Sequence, residues 1–195
     1  MTIASPSAPP TYTCEEYLAL EEQATIRSEY YDGEIIPMAG GTTNHNQIAG
    51  NFYSIAKSGL RGQGCRVFIG DVRLWIPSTS QYTYPDVMII EEQPIYQGEG
   101  TTTVMNPGLI VEVLSKSTAG YDQSDKFRSY RSLPSFQEYI LVSQYSQYIE
   151  QYNKTANGKW QLTEYTSQDT MLSIATGMLE VPIGELYEDV VWIGS

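Results

Sequence analysis

The sequence predicts an α/β (α+β) fold, a mixed central sheet flanked by helices and carrying additional β-hairpins. Three observations carry that prediction. The hydrophobic period switches along the chain in the order β-β-β-α-β between Arg66 and Val142. One of these strands, Leu109-Ile-Val-Glu-Val-Leu114, has five apolar side chains in six, the pattern of a strand buried on both faces. Asp32-Gly33 and Asn157-Gly158 each interrupt a β-prone stretch, and such dipeptides close tight hairpins because their backbones accept positive φ.

Taken in order, Thr13 and Glu16 form a capping box that starts a short helix from about Cys14 to Gln23. Glu29-Tyr-Tyr-Asp-Gly-Glu-Ile-Ile-Pro37 is a hairpin around Asp32-Gly33. From Asn44 to Leu60, Ile48, Phe52, Ile55 and Ala56 recur at helical spacing, with Thr43 or Asn44 as N-cap; this is the main packing helix. Arg66 to Ile76 alternates, with Val72, Leu74 and Ile76 on one side, and Thr83 to Ile90 is a second apolar strand. A polar connection of about Glu91 to Gly108 leads to the third strand, Leu109–Leu114. Asp122 to Ser132 reads as a helix closed by Pro134, and Glu138 to Val142 resumes the β pattern. Asn157-Gly158 then turns a Tyr-rich hairpin of about Tyr145–Asn153 and Lys159–Thr166, the expected interface of a homodimer.

The 195 residues fit one domain, 13–195, preceded by a Ser-, Ala- and Pro-bearing tail, 1–12, expected to be disordered. Met1 to Pro10 has neither a basic start nor an apolar core, so it does not read as a secretory signal, and no apolar run is long enough to span a bilayer. Cys14 and Cys65 stand alone, which argues against a zinc site or a disulfide framework and for a reducing, cytoplasmic setting without a membrane partner. The net charge of −12 argues against a protein that simply coats nucleic acid. Lys57, Arg61, Arg66, Arg73, Lys116, Lys126, Arg128 and Arg131 fall in two short segments, from which either one basic face or scattered solvated cations can be built.

Glu112 is the most informative residue, since an ionised carboxylate in a doubly buried strand costs several kcal/mol unless a cation, a basic partner or a raised pKa answers it. Asp86 poses the same problem in Tyr84-Pro-Asp-Val-Met-Ile-Ile90, where Pro85 marks a strand start. If the two strands pair, these acids converge and offer the hard oxygens that Mg²⁺ or Mn²⁺ prefers. The bland alternatives are an ordinary turn for Asp86, a satisfied buried acid for Glu112, and for Lys126 an exposed i, i+4 pair with Asp122 worth about 0.3–0.5 kcal/mol.

Pro85-Asp86 and Glu112-Val-Leu resemble the two halves of the PD-(D/E)XK (restriction-endonuclease-like) nuclease pattern, with Leu114 where that pattern has lysine. Lys126, in the following helix, is the candidate for the displaced lysine. More narrowly, Tyr31-Asp-Gly-Glu-Ile, His45 at a helix start, Tyr84-Pro-Asp-Val, Val111-Glu-Val-Leu-Ser and Asp125-Lys126 with Tyr130, in that order, resemble the Uma-two family of candidate endonucleases. The resemblance implies a restriction-endonuclease-like domain and a Mg²⁺- or Mn²⁺-dependent deoxyribonuclease acting on DNA. Asp86, Glu112 and the carbonyl of Val113 would hold the metal, Lys126 would orient water or stabilise charge, and Glu34 and His45 would complete the site. Two other readings stay open: a catalytically inactive module of the same fold for nucleic-acid binding or dimerisation, and a glycosidase using the two acids about 5–9.5 Å apart.

Overall fold

A computed structural model of the chain describes residues 11–115 and 119–192. Residues 1–10 of the expected tail, Lys116 and residues 193–195 lie outside the described residues. Tyr12, the end of that tail segment, is tied down: its N–H donates to the carbonyl of Gly33 at 2.8 Å and its carbonyl accepts from the Tyr30 hydroxyl at 2.9 Å.

Local chemistry sets the first elements. Thr13 and Glu16 cap each other's backbone to open α1 (Cys14–Gln23). Asp32 and Gly33 take φ of 44° and 95° to join β1 (Ser28–Tyr31) to β2 (Glu34–Pro37). Thr42 caps α2 (Thr43–Gly59), one residue before the expected start. There follow β3 (Arg66–Ile69), β4 (Arg73–Ile76), β5 (Gln81–Thr83), β6 (Val87–Ile90), β7 (Thr103–Val104) and β8 (Leu109–Leu114). A helical segment then runs as α3 (Ala119–Tyr121), one π turn (Asp122–Lys126) and α4 (Phe127–Tyr130). Finally come β9 (Glu138–Ser143), β10 (Tyr148–Lys154), β11 (Trp160–Thr166), β12 (Met171–Ile174), β13 (Leu179–Pro182) and α5 (Ile183–Leu186).

The described strands form a six-stranded mixed sheet in the order β11-β10-β9-β8-β6-β3, a five-stranded sheet in the order β2-β1-β5-β4-β7, and the pair β12-β13. In the central sheet β8 and β9 are parallel while β6 and β8 are antiparallel. The expected single strands 66–76 and 83–90 are each split between the two sheets. The first breaks at Gly70, whose φ of 65° turns the chain after β3. The second breaks at Pro85, which has no N–H to give a ladder. The breaks are adjacent, joined by a 2.9 Å bond from the Gly70 N–H to the Asp86 carbonyl, so Asp86 sits where the chain crosses between sheets.

Strand parity assigns the two faces of the central sheet. Leu109, Val111 and Val113 of β8 pack with Ile48, Phe52 and Ala56 of α2. Ile110 and Leu114 face the other way, into a core with Phe127, Tyr130, Phe136 and Tyr139. Glu112 shares their parity, so its carboxylate is committed to the aromatic layer between the sheets. The Tyr-rich hairpin β10–β11 extends this sheet from β9 and is not a separate appendage.

Candidate active site

Glu112 is 4 % exposed, and the cost of burying it is met by two neighbours on the helical segment. Lys126 Nζ is 3.2 Å from Oε1, and the Tyr130 hydroxyl donates to the same oxygen at 2.7 Å. Lys126 is not the exposed i, i+4 partner of Asp122. It is buried, with Asp122 at 3.4 Å, Glu29 at 3.1 Å and Glu112 at 3.2 Å around one ammonium. The π turn carries both Asp122 and Lys126 on its inward side, a local widening of the kind frequently found at functional sites.

Asp86 stands beside this cluster. Its N–H lies 3.5 Å from Glu112 Oε2, and its Oδ2 accepts from the Val113 N–H at 2.7 Å. His45 Nε2, from the first turn of α2, is 3.2 Å from the same Oδ2. Asp86, Glu112, Val113, His45 and Lys126 therefore come together from four separate chain segments. They line one cleft of about 650 Å³ with Glu29, Tyr84, Tyr121 and Asp122.

The charge balance follows from one ammonium among several acids. Burial pushes the Glu112 carboxyl up, Lys126 pulls it down, and Asp86 and Asp122 push it further, leaving it at about 8. Burial alone would lower Lys126, but Glu112, Glu29 and Asp122 outweigh it and hold the ammonium well above the usual lysine range. Lys126 thus keeps its proton, and Glu112 is the group that titrates near neutrality. Burial would also lower His45, but its hydrogen bond to Asp86 wins and raises it.

Glu34 is not brought into the site. It is exposed, pairs with Tyr31 across the hairpin turn, and lines a different cleft with Tyr12, Tyr17 and Glu21. Glu29, on the opposite strand of that hairpin, takes the place expected of it and also accepts from the Thr83 hydroxyl. Nothing local in the sequence distinguishes Glu29. The cue is the pairing of Tyr30 with Tyr82, a long-range register that sets β1 beside β5. Tyr130 was legible as part of the motif, but its role as a donor to Glu112 was not. Arg73 and Lys126 contribute to no basic surface, because both are buried, Arg73 against Thr103 and Tyr84.

Among the described residues no group of three or more His, Cys, Asp or Glu side chains is spaced to hold a metal ion. Asp86 and Glu112 put two carboxylates at one cleft, hard oxygen donors of the type that Mg²⁺ accepts while keeping several waters. Burial is the main cause that raises Glu112, and the acids Asp86 and Asp122, which add to it, are the negative neighbours a cation there would meet.

A mixed sheet with half-buried Asp86 beside buried Glu112 and Lys126 at a strand crossing defines a protein of the restriction-endonuclease-like fold class. The chain belongs to the Uma2 family, described as "Putative restriction endonuclease", whose pattern it matches over residues 14–183. It has the fold of a crystallised "putative nuclease belonging to DUF820" from Anabaena variabilis, with a TM-score of 0.75 and 19% identity over 92% of this chain and 99% of that one. Two relatives come from Synechocystis sp. "Uncharacterized protein sll1609" is 41% identical over 84% of this chain and 92% of its own length, and "Uncharacterized protein slr1290" is 38% identical over 88% and 90%. No helix among the described residues is long and apolar enough to cross a membrane.

Proposed function

We propose that the chain is a metal-dependent endonuclease that hydrolyses DNA phosphodiester bonds at the Asp86–Glu112–Lys126 cluster. The observation that carries this reading is the convergence of those residues in one cleft, with a buried glutamate 3.2 Å from a buried lysine. Family membership and the name of the Anabaena neighbour support a nuclease. Asp86 and Glu112, with the Val113 carbonyl, would hold Mg²⁺ or Mn²⁺. Such an ion acidifies bound water and offsets charge on a phosphate.

The remaining work falls to the chain's own groups. Lys126 stays an ammonium and so supplies fixed positive charge near the reacting phosphate rather than acting as a base. Tyr130 and Glu29 hold Glu112 and Lys126 in place from either side. His45 directs Nε2 at Asp86 and, with the Val113 N–H, orients that carboxylate. Cleavage of supercoiled plasmid with Mg²⁺ or Mn²⁺ tests the reading. Activity is expected in the native chain and is expected to fall at least about a hundredfold in Glu112→Gln and with chelator. One observation favours the inactive module: Lys126 is already surrounded by three carboxylates, which leaves it little to offer a phosphate. Calorimetric Mg²⁺ binding without any cleavage would select that alternative.

A further inference from the structure

Arg27 is the residue before β1, and two contacts place it at the mouth of the cleft. Its carbonyl accepts from the Met38 N–H at 2.9 Å, which continues the β1–β2 ladder by one pair. Its guanidinium carbon lies 5.8 Å from the centre of the Tyr84 ring, within cation–π reach. Met38 and Tyr84 both line the cleft, as does Glu29, two residues along the chain and about 6.6 Å away at the rise of a strand. Glu29 in turn touches Lys126. The Arg27 side chain is 47% exposed, so the rim of a site whose floor is buried carries a positive charge in water.

Its neighbours do not use that charge up. Arg27 pairs with Glu21 at 3.9 Å, an ion pair beyond hydrogen-bond distance. Glu21 is 3% exposed and takes hydrogen bonds from the Ser28 N–H at 3.2 Å and the Tyr84 hydroxyl at 2.9 Å. Buried Arg73 donates to that same hydroxyl at 3.5 Å, which sets a second positive charge one hydroxyl away from Glu21. Lys126, by contrast, has three carboxylates within 3.4 Å of its ammonium. Of these two cations, Arg27 is the one with donors to spare for an anion. A guanidinium held by its face over a ring keeps its in-plane N–H groups aligned for the paired oxygens of a phosphate.

We infer that Arg27 binds the phosphate next to the one that is cut, donating to its two non-bridging oxygens at the rim while the Asp86–Glu112–Lys126 cluster holds the scissile group. Arg27 is then a substrate-binding residue that fixes the strand and takes no part in the bond that breaks. It acts on ground state and transition state alike. The contact reads charge and not base identity. Glu21 and Tyr84 hold the side chain in place before the strand arrives, which reduces the ordering entropy such a contact otherwise costs. That the anion is a nucleic-acid phosphate rests on the nuclease reading above.

The test is fluorescence anisotropy of a labelled duplex oligonucleotide over a series of salt concentrations in chelator, followed by plasmid cleavage with Mg²⁺. Arg27→Ala should weaken binding about tenfold and make the logarithmic salt slope shallower by about 0.9, the share of one phosphate contact. Arg27→Lys should keep the native slope, since the charge remains, and recover part of the affinity. In cleavage, Arg27→Ala should raise KM about tenfold and lower kcat less than about twofold. An Arg27→Ala variant with native affinity and slope overturns the inference. So does weaker binding at the native slope, the result expected if Arg27 only shields Glu21, and so does an Arg27→Lys variant with a slope as shallow as that of Arg27→Ala. The two readings fail separately. A native chain that never cuts plasmid, but whose salt slope falls in Arg27→Ala, keeps the phosphate contact without the nuclease. Cleavage with KM unchanged in Arg27→Ala keeps the nuclease and removes the contact.

Discussion

Glu112 and Lys126 set the electrostatics of the site together, and their shifts give a signed expectation. The Glu112 carboxyl rises from 4.5 to about 8 on folding, so between those values the folded chain holds more protons than the unfolded one. Stability without divalent cation should therefore fall as pH rises across that window. Lys126 has the same sign in a higher window: its raised pKa gives stability present below the unfolded lysine value and lost only at strongly alkaline pH. A divalent cation that takes Glu112 ionised must displace its proton. Titrating Mg²⁺ calorimetrically at pH 7, in buffers of differing ionisation heat, should show close to one proton released per ion. A heat independent of buffer would sink this account. Gly41 supplies a second residue-scale expectation. A Cβ there would sit 3.2 Å from His45 Nδ1, so Gly41→Ala should push the ring off Asp86 and lower cleavage about tenfold at unchanged unfolding midpoint.

At the scale of elements, Glu138 shows a buried acid that is structural. It begins β9, is fully buried, and accepts from the N–H groups of Ala175 and Thr176 at 3.3 and 3.0 Å and from Gln151 Nε2 at 2.5 Å. It clamps the start of the β12–β13 connection to the central sheet. Glu138→Ala should cost about 2–3 kcal/mol in urea unfolding and leave metal binding unchanged, since it lies at the other end of the strand from the cleft. The comparison with Glu112 shows what was legible in the sequence. Both are acids in apolar strands, but the sequence marked only Glu112, inside its strand, as costly; Glu138, at the start of β9, read as a strand boundary. Their partners separate them: main-chain donors for Glu138, a lysine and a second acid for Glu112. The β8 strand, α1, the first hairpin and α2 were legible because local period and caps specify them. The splitting of 66–76 and 83–90 was not, since Gly70 and Pro85 break strands without saying which sheet receives each half. Asp86 and Glu112 could be named from their chemistry, and His45 and Lys126 from the family resemblance. Glu29 could not, because its place depends on β1 pairing with a strand some fifty residues away.

The whole molecule carries −12 and, among the described residues, sets the cleft-lining ammonium of Lys126 among acids, so its long-range field repels a polyanion. A second copy would add to the binding surface, and the architecture offers a place for it. β11 is the edge of the central sheet, with one side of its ladder unpaired and Leu162 45% exposed on it. Edge strands bearing exposed apolar residues are templates for pairing with another chain. The homodimer expected from the Tyr-rich hairpin would form here, with β11 against β11 extending two central sheets into one. Light scattering after size exclusion should then report a dimer for the native chain and a monomer for Leu162→Lys, whose charge would lie against its symmetry mate across the pair. Because Leu162 lies on the edge strand and outside the cleft, the monomeric variant should keep Mg²⁺ binding. A native chain that elutes as a monomer at all concentrations would leave β11 a plain sheet edge, guarded by the neighbouring Lys159.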